Sequence, residues 1–371
     1  MFYKVSTIVL CSIWSINSYS QNSFNGINQM NQNCSEINVS YQSHAAGITL
    51  AGTLTLPGTA TKCPAVILIA GYGQHDRNVT FAGKQPFKVI AEDFASKGIA
   101  VLRYDKRGVG ESTGDYSNAT SRDFADDVKA GLAYLKTQPN INHAQIGLVG
   151  LSEGGFIAAM VAAESADVNF VVLLAAAVTA KIADFVAMSG LQMSADGVSP
   201  EFLKHDEKMR KQVFTIIKQA DLPEVTESKL QQVVSNYPAE LTEAEIKESE
   251  KTHFAFTAKN ADHMIKVYNS TWYRYFLSCD PSDFLKQIKV PVLALNGDLD
   301  WISAPNIAFP IMERAFIAGK VRDYTFIEVP YVNHMFQSCK TGAMTEYSAT
   351  KEAISPIVLN MVSDWIASRA K

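Results

Sequence analysis

From about residue 37 the chain alternates short apolar runs with longer amphipathic stretches. Ile37–Gln42 and Ile48–Leu56 alternate polar and apolar positions, the pattern of an antiparallel pair with one wet face. Ala65–Ala70, Ile99–Arg103, Gln145–Val149, Phe170–Ala175, Pro291–Asn296 and Tyr324–Val329 are mostly unbroken and rich in Val, Ile and Leu, as strands buried on both faces are. Helical patterns lie between them. Phe87–Lys97 stops at Gly98, Ser121–Thr137 carries apolar Phe124, Val128, Leu132 and Leu135, Gly154–Glu164 is small and apolar, and Ile354–Ser368 closes the chain. This alternation predicts an α/β fold: a mostly parallel, eight-stranded sheet with helices on both faces. Such sheets bind ligands beyond the carboxyl ends of their strands.

Two intervals break the rhythm. Residues 178–275 are helical, charged and without a buried strand, with helices expected at Leu203–Ala220, Glu224–Asn236 and Thr242–Phe256. An insertion of this kind packs most simply over the sheet's upper edge as a cap, dividing the core into residues 37–177 and 276–371. Its charges nearly cancel, 14 acidic against 12 basic between Thr179 and Tyr275, so it points to no strongly charged substrate. The other interval is the start. Met1–Lys4 is basic, Val5–Ile16 is mostly apolar, and Ser18 and Ser20 are small residues at the positions a signal peptidase reads. A run of twelve residues is too short for the roughly 20 a membrane span needs. Residues 1–20 therefore read as a signal peptide, 21–36 as a flexible Asn/Gln-rich N-terminus, and the protein as exported, periplasmic or extracellular.

The composition narrows the function classes. Of 371 residues, 47% are hydrophobic and 19% charged, enough apolar material for a folded core. Lys and Arg total 33 against 37 acidic residues, and the net charge of -4 lacks the basic surplus a nucleic-acid binder needs. The cysteines fit no zinc spacing and no His-Glu-x-x-His occurs, so neither metal nor other cofactor is implied. Export would leave Cys34, Cys63, Cys279 and Cys339 in an oxidising compartment. The strand layout favours pairing Cys34 with Cys63 and Cys279 with Cys339, against the alternative of free buried thiols.

Gly150-Leu151-Ser152-Glu153-Gly154 joins an expected strand to an expected helix, the context of a nucleophile elbow. Ser152 would stand above the sheet, facing the N-terminus of the following helix. A serine needs a base to take its proton and an acid to orient that base. Of the seven histidines, only His334 lies in the loop leaving the last strand, after an acid that follows a late strand. Asp298 and Asp300 compete for the acid role. Asp298 sits in the tight turn itself, and Asp300, three residues past Gly297, is better placed to reach a neighbouring loop. An oxyanion hole needs two backbone N–H groups. Glu153 supplies one, and the loop Ala70-Gly71-Tyr72-Gly73 supplies the other, with Tyr72 as the donor and Gly73 its neighbouring alternative.

With Gly71–Asn78, Arg103–Ser112, Gly150–Gly154, Gly297–Asp300 and Asn333–Gln337 in this order, the chain resembles the α/β-hydrolase superfamily over roughly residues 37–368. More narrowly, it is similar to bacterial serine esterases and serine aminopeptidase-like hydrolases. It departs from many lipases and esterases in having Ala70-Gly71 where they carry His-Gly, a change that a backbone donor tolerates. The resemblance implies that Asp105 and Arg107 brace the elbow from the loop after the fourth strand. Asp76 and Arg77, beside the oxyanion loop, are read as holding that loop. Trp272, Tyr273, Tyr275 and Phe276 are candidates to line an acyl pocket. The reading is a serine hydrolase acting on a small-molecule acyl ester, with Ser152, Asp300 and His334 as its triad. The rivals are an aminopeptidase or acyltransferase on the same triad, and a non-catalytic binding module on the same fold.

Overall fold

The computed structural model describes residues 34–369, apart from 59–61, 180, 220, 258 and 259. The signal peptide expected at 1–20 lies outside the described residues, as does most of the expected flexible N-terminus. That segment ends earlier than its sequence boundary of 36, because β1 (Cys34–Ser43) already pairs Cys34 with Pro57.

The other strands are β2 (Ile48–Pro57), β3 (Cys63–Ile69), β4 (Ala100–Tyr104), β5 (Ile141–Leu151), β6 (Phe170–Leu174), β7 (Val292–Gly297) and β8 (Tyr324–Val329). They form one eight-stranded sheet in the order β1-β2-β4-β3-β5-β6-β7-β8. Only β2 runs against its neighbours, pairing antiparallel with β1 and β4, and every pair from β4 to β8 is parallel. Val66, Ile67, Val101, Leu102, Leu148, Val172 and Leu293 are fully buried, which is why these strands read as unbroken apolar runs.

The helices are α1 (Pro86–Ser96), α2 (Ser121–Leu135), α3 (Glu153–Glu164), α4 (Ile182–Ala195), α5 (Pro200–Lys218), α6 (Pro223–Asn236), α7 (Glu243–Ser249), α8 (Ala261–Tyr268), α9 (Thr271–Ser278), α10 (Ser282–Leu285), α11 (Pro305–Gly319), α12 (Met344–Ala349) and α13 (Pro356–Arg369). Residues of α2, α3 and α11 cover one sheet face, through Phe124, Phe156 and Phe316. Those of α1 and α13 cover the other, through Phe94 and Ile366. This is the α/β-hydrolase fold.

Between β6 and β7 the described residues form seven α-helices, of which α4 to α9 have an apolar centre of their own around Val213, Phe214, Leu230 and Tyr268. Two expectations change here. The helix expected over Thr242–Phe256 is only Glu243–Ser249, and an unforeseen helix, α4, opens the segment.

Cys34, Cys63, Cys279 and Cys339 are free thiols, which corrects the expected pairings. The strand order places β2 and β4 between β1 and β3, three spacings or about 14 Å, whereas a disulfide needs Cα atoms within about 7 Å. Cys63 instead donates its thiol to the Asn140 carbonyl at 3.3 Å. Burial pushes the Cys339 thiol up to about 11, with Glu346 adding to the shift.

Candidate active site

The site sits where β3, β5, β7 and β8 end at the same edge of the sheet. Ser152 occupies the turn from β5 to α3 with φ 57 and ψ -119, a left-handed conformation uncommon for a residue with a side chain. The surrounding structure imposes it. Ser152 N–H donates to the Leu174 carbonyl at 2.8 Å, and the Ser152 carbonyl accepts from Gly155 and Ala177 at 2.9 and 3.0 Å. The glycines are there for space: a Cβ on Gly150 would lie 2.1 Å from the Gly154 carbonyl oxygen, and one on Gly154 would lie 2.0 Å from that of Ile69. The serine side chain therefore stands half-buried over the first turn of α3, where the N–H of Glu153 has no intrahelical partner.

Asp300 and His334 meet. The imidazole Nδ1 lies 3.1 and 3.0 Å from the two carboxylate oxygens, with both side chains buried. Asp300 Oδ1 also accepts from the backbone N–H groups of Ile302 and Ser303 at 3.0 and 2.8 Å, and Asn296 approaches Oδ2 at 3.5 Å. Asn333 shapes the turn that carries the histidine, accepting from Met335 and Gln337 N–H at 3.0 Å each. Asp298 does something different. Its Oδ1 accepts from Tyr331 N–H at 2.6 Å, tying the β7 turn to the β8 loop. Burial raises its pKa, against the pull of that bond. Among the described residues no hydrogen bond joins Ser152 Oγ to His334, a contact that in resting enzymes is often long and tightens with substrate.

Tyr72 lies on the loop after β3. A Cβ on Gly71 would stand 3.1 Å from Ser152 Cβ and 3.7 Å from its Oγ, so the glycine keeps this close approach of backbone to serine uncrowded. Gly73 N–H already donates to Tyr116 Oη at 3.0 Å, whereas Tyr72 N–H donates to no protein group among the described residues. The backbone therefore separates the two donor candidates, leaving the N–H of Tyr72 free and that of Gly73 engaged.

The expected bracing roles shift by one position. Arg107 pairs with Asp127 and Asp123 on α2, and Asp105 with Arg77, so neither touches the elbow. Lys106 between them does, 3.5 Å from Glu153 Oε2 and 3.0 Å from the Gly71 carbonyl. Successive side chains of an extended segment face opposite ways, and the pattern of Asp105-Lys106-Arg107 alone does not show which one points to the site. Asp76 holds its own loop, accepting from Thr80 and Asn78.

A cavity of about 270 Å³ opens over Ser152, lined by Tyr72, Glu153, Phe185, Gln192, Trp272 and Phe276 among others. Of the expected aromatic residues, Trp272, Tyr273 and Phe276 line it and Tyr275 does not. Phe185, Met188 and Gln192 come from α4, which the sequence pattern missed; Gln192, a polar residue between apolar neighbours, was its one visible signal. Trp272 packs against Tyr72 with the rings tilted by 40° and their centroids 4.2 Å apart, and its indole N–H donates to Glu153 Oε1 at 2.5 Å. Ser121 holds the same oxygen at 2.7 Å. Among the described residues no cluster of His, Cys, Asp and Glu could hold a metal ion.

Fold and site together define an α/β-hydrolase. The chain belongs to the X-Pro dipeptidyl-peptidase (S15) family, whose model matches residues 46–315. It is 30% identical over 126 residues to the esterase EstD of Thermotoga maritima, an alignment covering 34% of this chain and 30% of EstD. It is 32% identical over 118 residues to the polyketide transferase GrgF of Penicillium sp., covering 32% of this chain and 37% of that one. The chain thus spans about a third of the length of these curated relatives. Among solved structures, the α/β-hydrolase GrgF superposes with a TM-score of 0.52 at 17% identity, over 91% of this chain and 99% of that one. Est1E of Butyrivibrio proteoclasticus, solved with ferulic acid bound, gives 0.50 at 16% identity over 89% and 96%.

Proposed function

We propose that this chain is an exported serine hydrolase that cleaves small carboxylic esters through an acyl-enzyme. In this reading Ser152 Oγ attacks the acyl carbon and His334 Nε2 takes its proton. Asp300 holds Nδ1–H, fixes the tautomer and offsets the imidazolium charge. The backbone N–H groups of Tyr72 and Glu153 receive the tetrahedral oxygen, and the N-terminus of α3 favours its negative charge. Protonated His334 then gives its proton to the leaving alcohol, and water repeats the sequence to release the acid.

The observation that carries the reading is the buried Asp300–His334 pair on the loops beside a serine held at φ 57 over a helix N-terminus. Such strained conformations persist where the surrounding structure over-determines them, and they cluster at active sites. The similarity to a curated protein named as an esterase, EstD, supports the ester preference.

The cavity supports an uncharged acyl group of modest size. Among the described residues its one lining carboxylate, Glu153, is already engaged by Trp272, Ser121 and Lys106, so none of them offers a free acid to a substrate ammonium. This argues for an ester over the amino-terminal dipeptide that the family's name suggests. Among the described residues no helix is long and apolar enough to cross a membrane. Export rests on the composition of residues 1–20, and its test is the N-terminal sequence of the protein recovered outside the cytoplasm.

The activity test is a panel of nitrophenyl acyl esters and aminoacyl or prolyl amides. Ester hydrolysis that disappears in Ser152→Ala is expected. Amide cleavage without ester hydrolysis would transfer the assignment to a peptidase, and acyl transfer outrunning hydrolysis to an acyltransferase.

A further inference from the structure

The two peptide units around Tyr72 are pinned from behind. The Tyr72 carbonyl lies 2.8 Å from His75 Nε2, and the Gly73 N–H is taken by Tyr116. The unit that matters most is Gly71–Tyr72, because it carries the free N–H beside Ser152. Its carbonyl accepts from Lys106 Nζ at 3.0 Å. In a trans peptide the C=O and N–H vectors oppose each other, so fixing this carbonyl on the ammonium aims the Tyr72 N–H the other way.

The same ammonium reaches the second donor's residue, standing 3.5 Å from Glu153 Oε2. Ser121 and Trp272 hold the other oxygen of that carboxylate, so Glu153 is fixed on both sides at the first position of α3. Lys106 is itself out of water. Its Nζ lies 3.9 Å from the Phe124 ring centroid and 5.3 Å from that of Tyr116, and the residue is buried. Burial pushes its pKa down, and the nearby Glu153 works against that. Holding a lysine in such a place costs free energy that a well-packed apolar residue of similar volume would avoid. Its contacts are those of a part that sets geometry.

We propose that Lys106 is the positioning residue of the oxyanion hole, one ammonium fixing both the peptide that carries the Tyr72 donor and the side chain of the Glu153 donor. It touches no reacting atom. The proposal rests on the serine ester hydrolase reading of Ser152, and its effect falls on the transition state, where the oxyanion first needs both donors.

The test uses the full chain with Lys106→Met, which keeps an unbranched four-atom stem and removes the ammonium with its donors. A fluorophosphonate titration first counts reactive Ser152 sites, and steady-state hydrolysis of nitrophenyl acetate then gives kcat and KM. Inhibition by an alkylboronic acid, which puts an oxygen into the hole, reports the hole itself. Loss of a direct oxyanion donor costs about 10²–10³ in kcat. An indirect one is expected to cost roughly 10–100-fold in kcat, with KM nearly unchanged and boronate affinity falling in parallel with kcat/KM. Lys106→Gln, with a shorter neutral donor, should fall between the two and carries the same readouts if Lys106→Met does not fold. A merely structural lysine would lower Tm and leave kcat per titrated site and boronate affinity at wild-type values, and that result would overturn the proposal. A wild-type protein that takes up no fluorophosphonate would overturn the serine-hydrolase reading, and the proposal with it.

Discussion

Replacing Asp300 by Asn should switch the enzyme off while leaving it folded, and the hydrogen bonds show why. Oδ1 accepts from two backbone N–H groups, of Ile302 and Ser303, and an amide NH2 cannot replace it there. The amide oxygen of the substituted side chain must therefore take the Oδ1 position. Its NH2 then occupies the place of Oδ2, 3.0 Å from His334 Nδ1. An NH2 donates, and the oxygen 3.1 Å from Nδ1 already accepts two backbone N–H groups, so the tautomer with Nδ1 bare and the proton on Nε2 is favoured. That is the tautomer unable to take the proton of Ser152. A wrong tautomer of this kind costs about 10⁴-fold in turnover, equivalent to about 5.4 kcal/mol of barrier. Asp298→Asn is the matched control. Its Oδ1 accepts from the N–H of Tyr331, a bond that an amide oxygen still makes, and among the described residues no hydrogen bond joins it to His334. The charge-assisted bond becomes a neutral one, a loss of about 1 kcal/mol in stability with turnover nearly intact. The assay is kcat for nitrophenyl acetate in both variants, alongside thermal melts. Asp300→Asn retaining activity within about tenfold, with Asp298→Asn collapsing, would refute the tautomer argument and move the acid to Asp298.

Ser152→Ala and His334→Ala should each lower kcat by several orders of magnitude, and the double variant should add little, because the pair acts as a unit; additive losses would separate their roles. Along a homologous ester series each methylene that fits the cavity of about 270 Å³ should raise kcat/KM by up to about fourfold, from about 0.8 kcal/mol each. Efficiency should peak at short acyl chains and fall steeply beyond them, and a maximum at palmitate would mean that the cavity continues into a channel. Gly154→Ala places a Cβ 2.0 Å from the Ile69 carbonyl oxygen, so it should lower Tm and abolish activity together, and an active, stable variant would contradict the packing at the elbow.

Much of this molecule was legible because its central strands are buried on both faces. The runs at Val66–Leu68, Val101–Leu102 and Leu148–Val149 betray themselves without any partner in view. Gly150 to Gly154 was legible because a turn that tight excludes every other residue at its glycines. Helix α4 was not. Its apolar positions serve two neighbours, the cavity through Phe185 and Met188 and the apolar centre of the α4–α9 segment through Val186, which blurs a single helical face. Helix α11 hid for another reason, since Pro305 and Pro310 both fall inside it and read as breakers. The elbow's support was invisible in principle. Trp272 and Glu153 stand 119 residues apart, and no local pattern announces their hydrogen bond. The choice among Asp105, Lys106 and Arg107 depended on which side of β4 each leaves, and α2, bearing Asp127 and Asp123, claimed the arginine. The disulfide pairing failed on strand order, which places β2 and β4 between Cys34 and Cys63.

The most direct test of Ser152 as nucleophile is covalent capture. The purified protein is treated with a fluorophosphonate ester, digested and mapped by mass spectrometry, with Ser152→Ala treated in parallel. One adduct per chain is expected on the peptide containing Ser152, appearing at the rate at which ester hydrolysis is lost, with none in Ser152→Ala. An adduct on a different serine, or ester hydrolysis at the wild-type rate in Ser152→Ala, would contradict the assignment of the site.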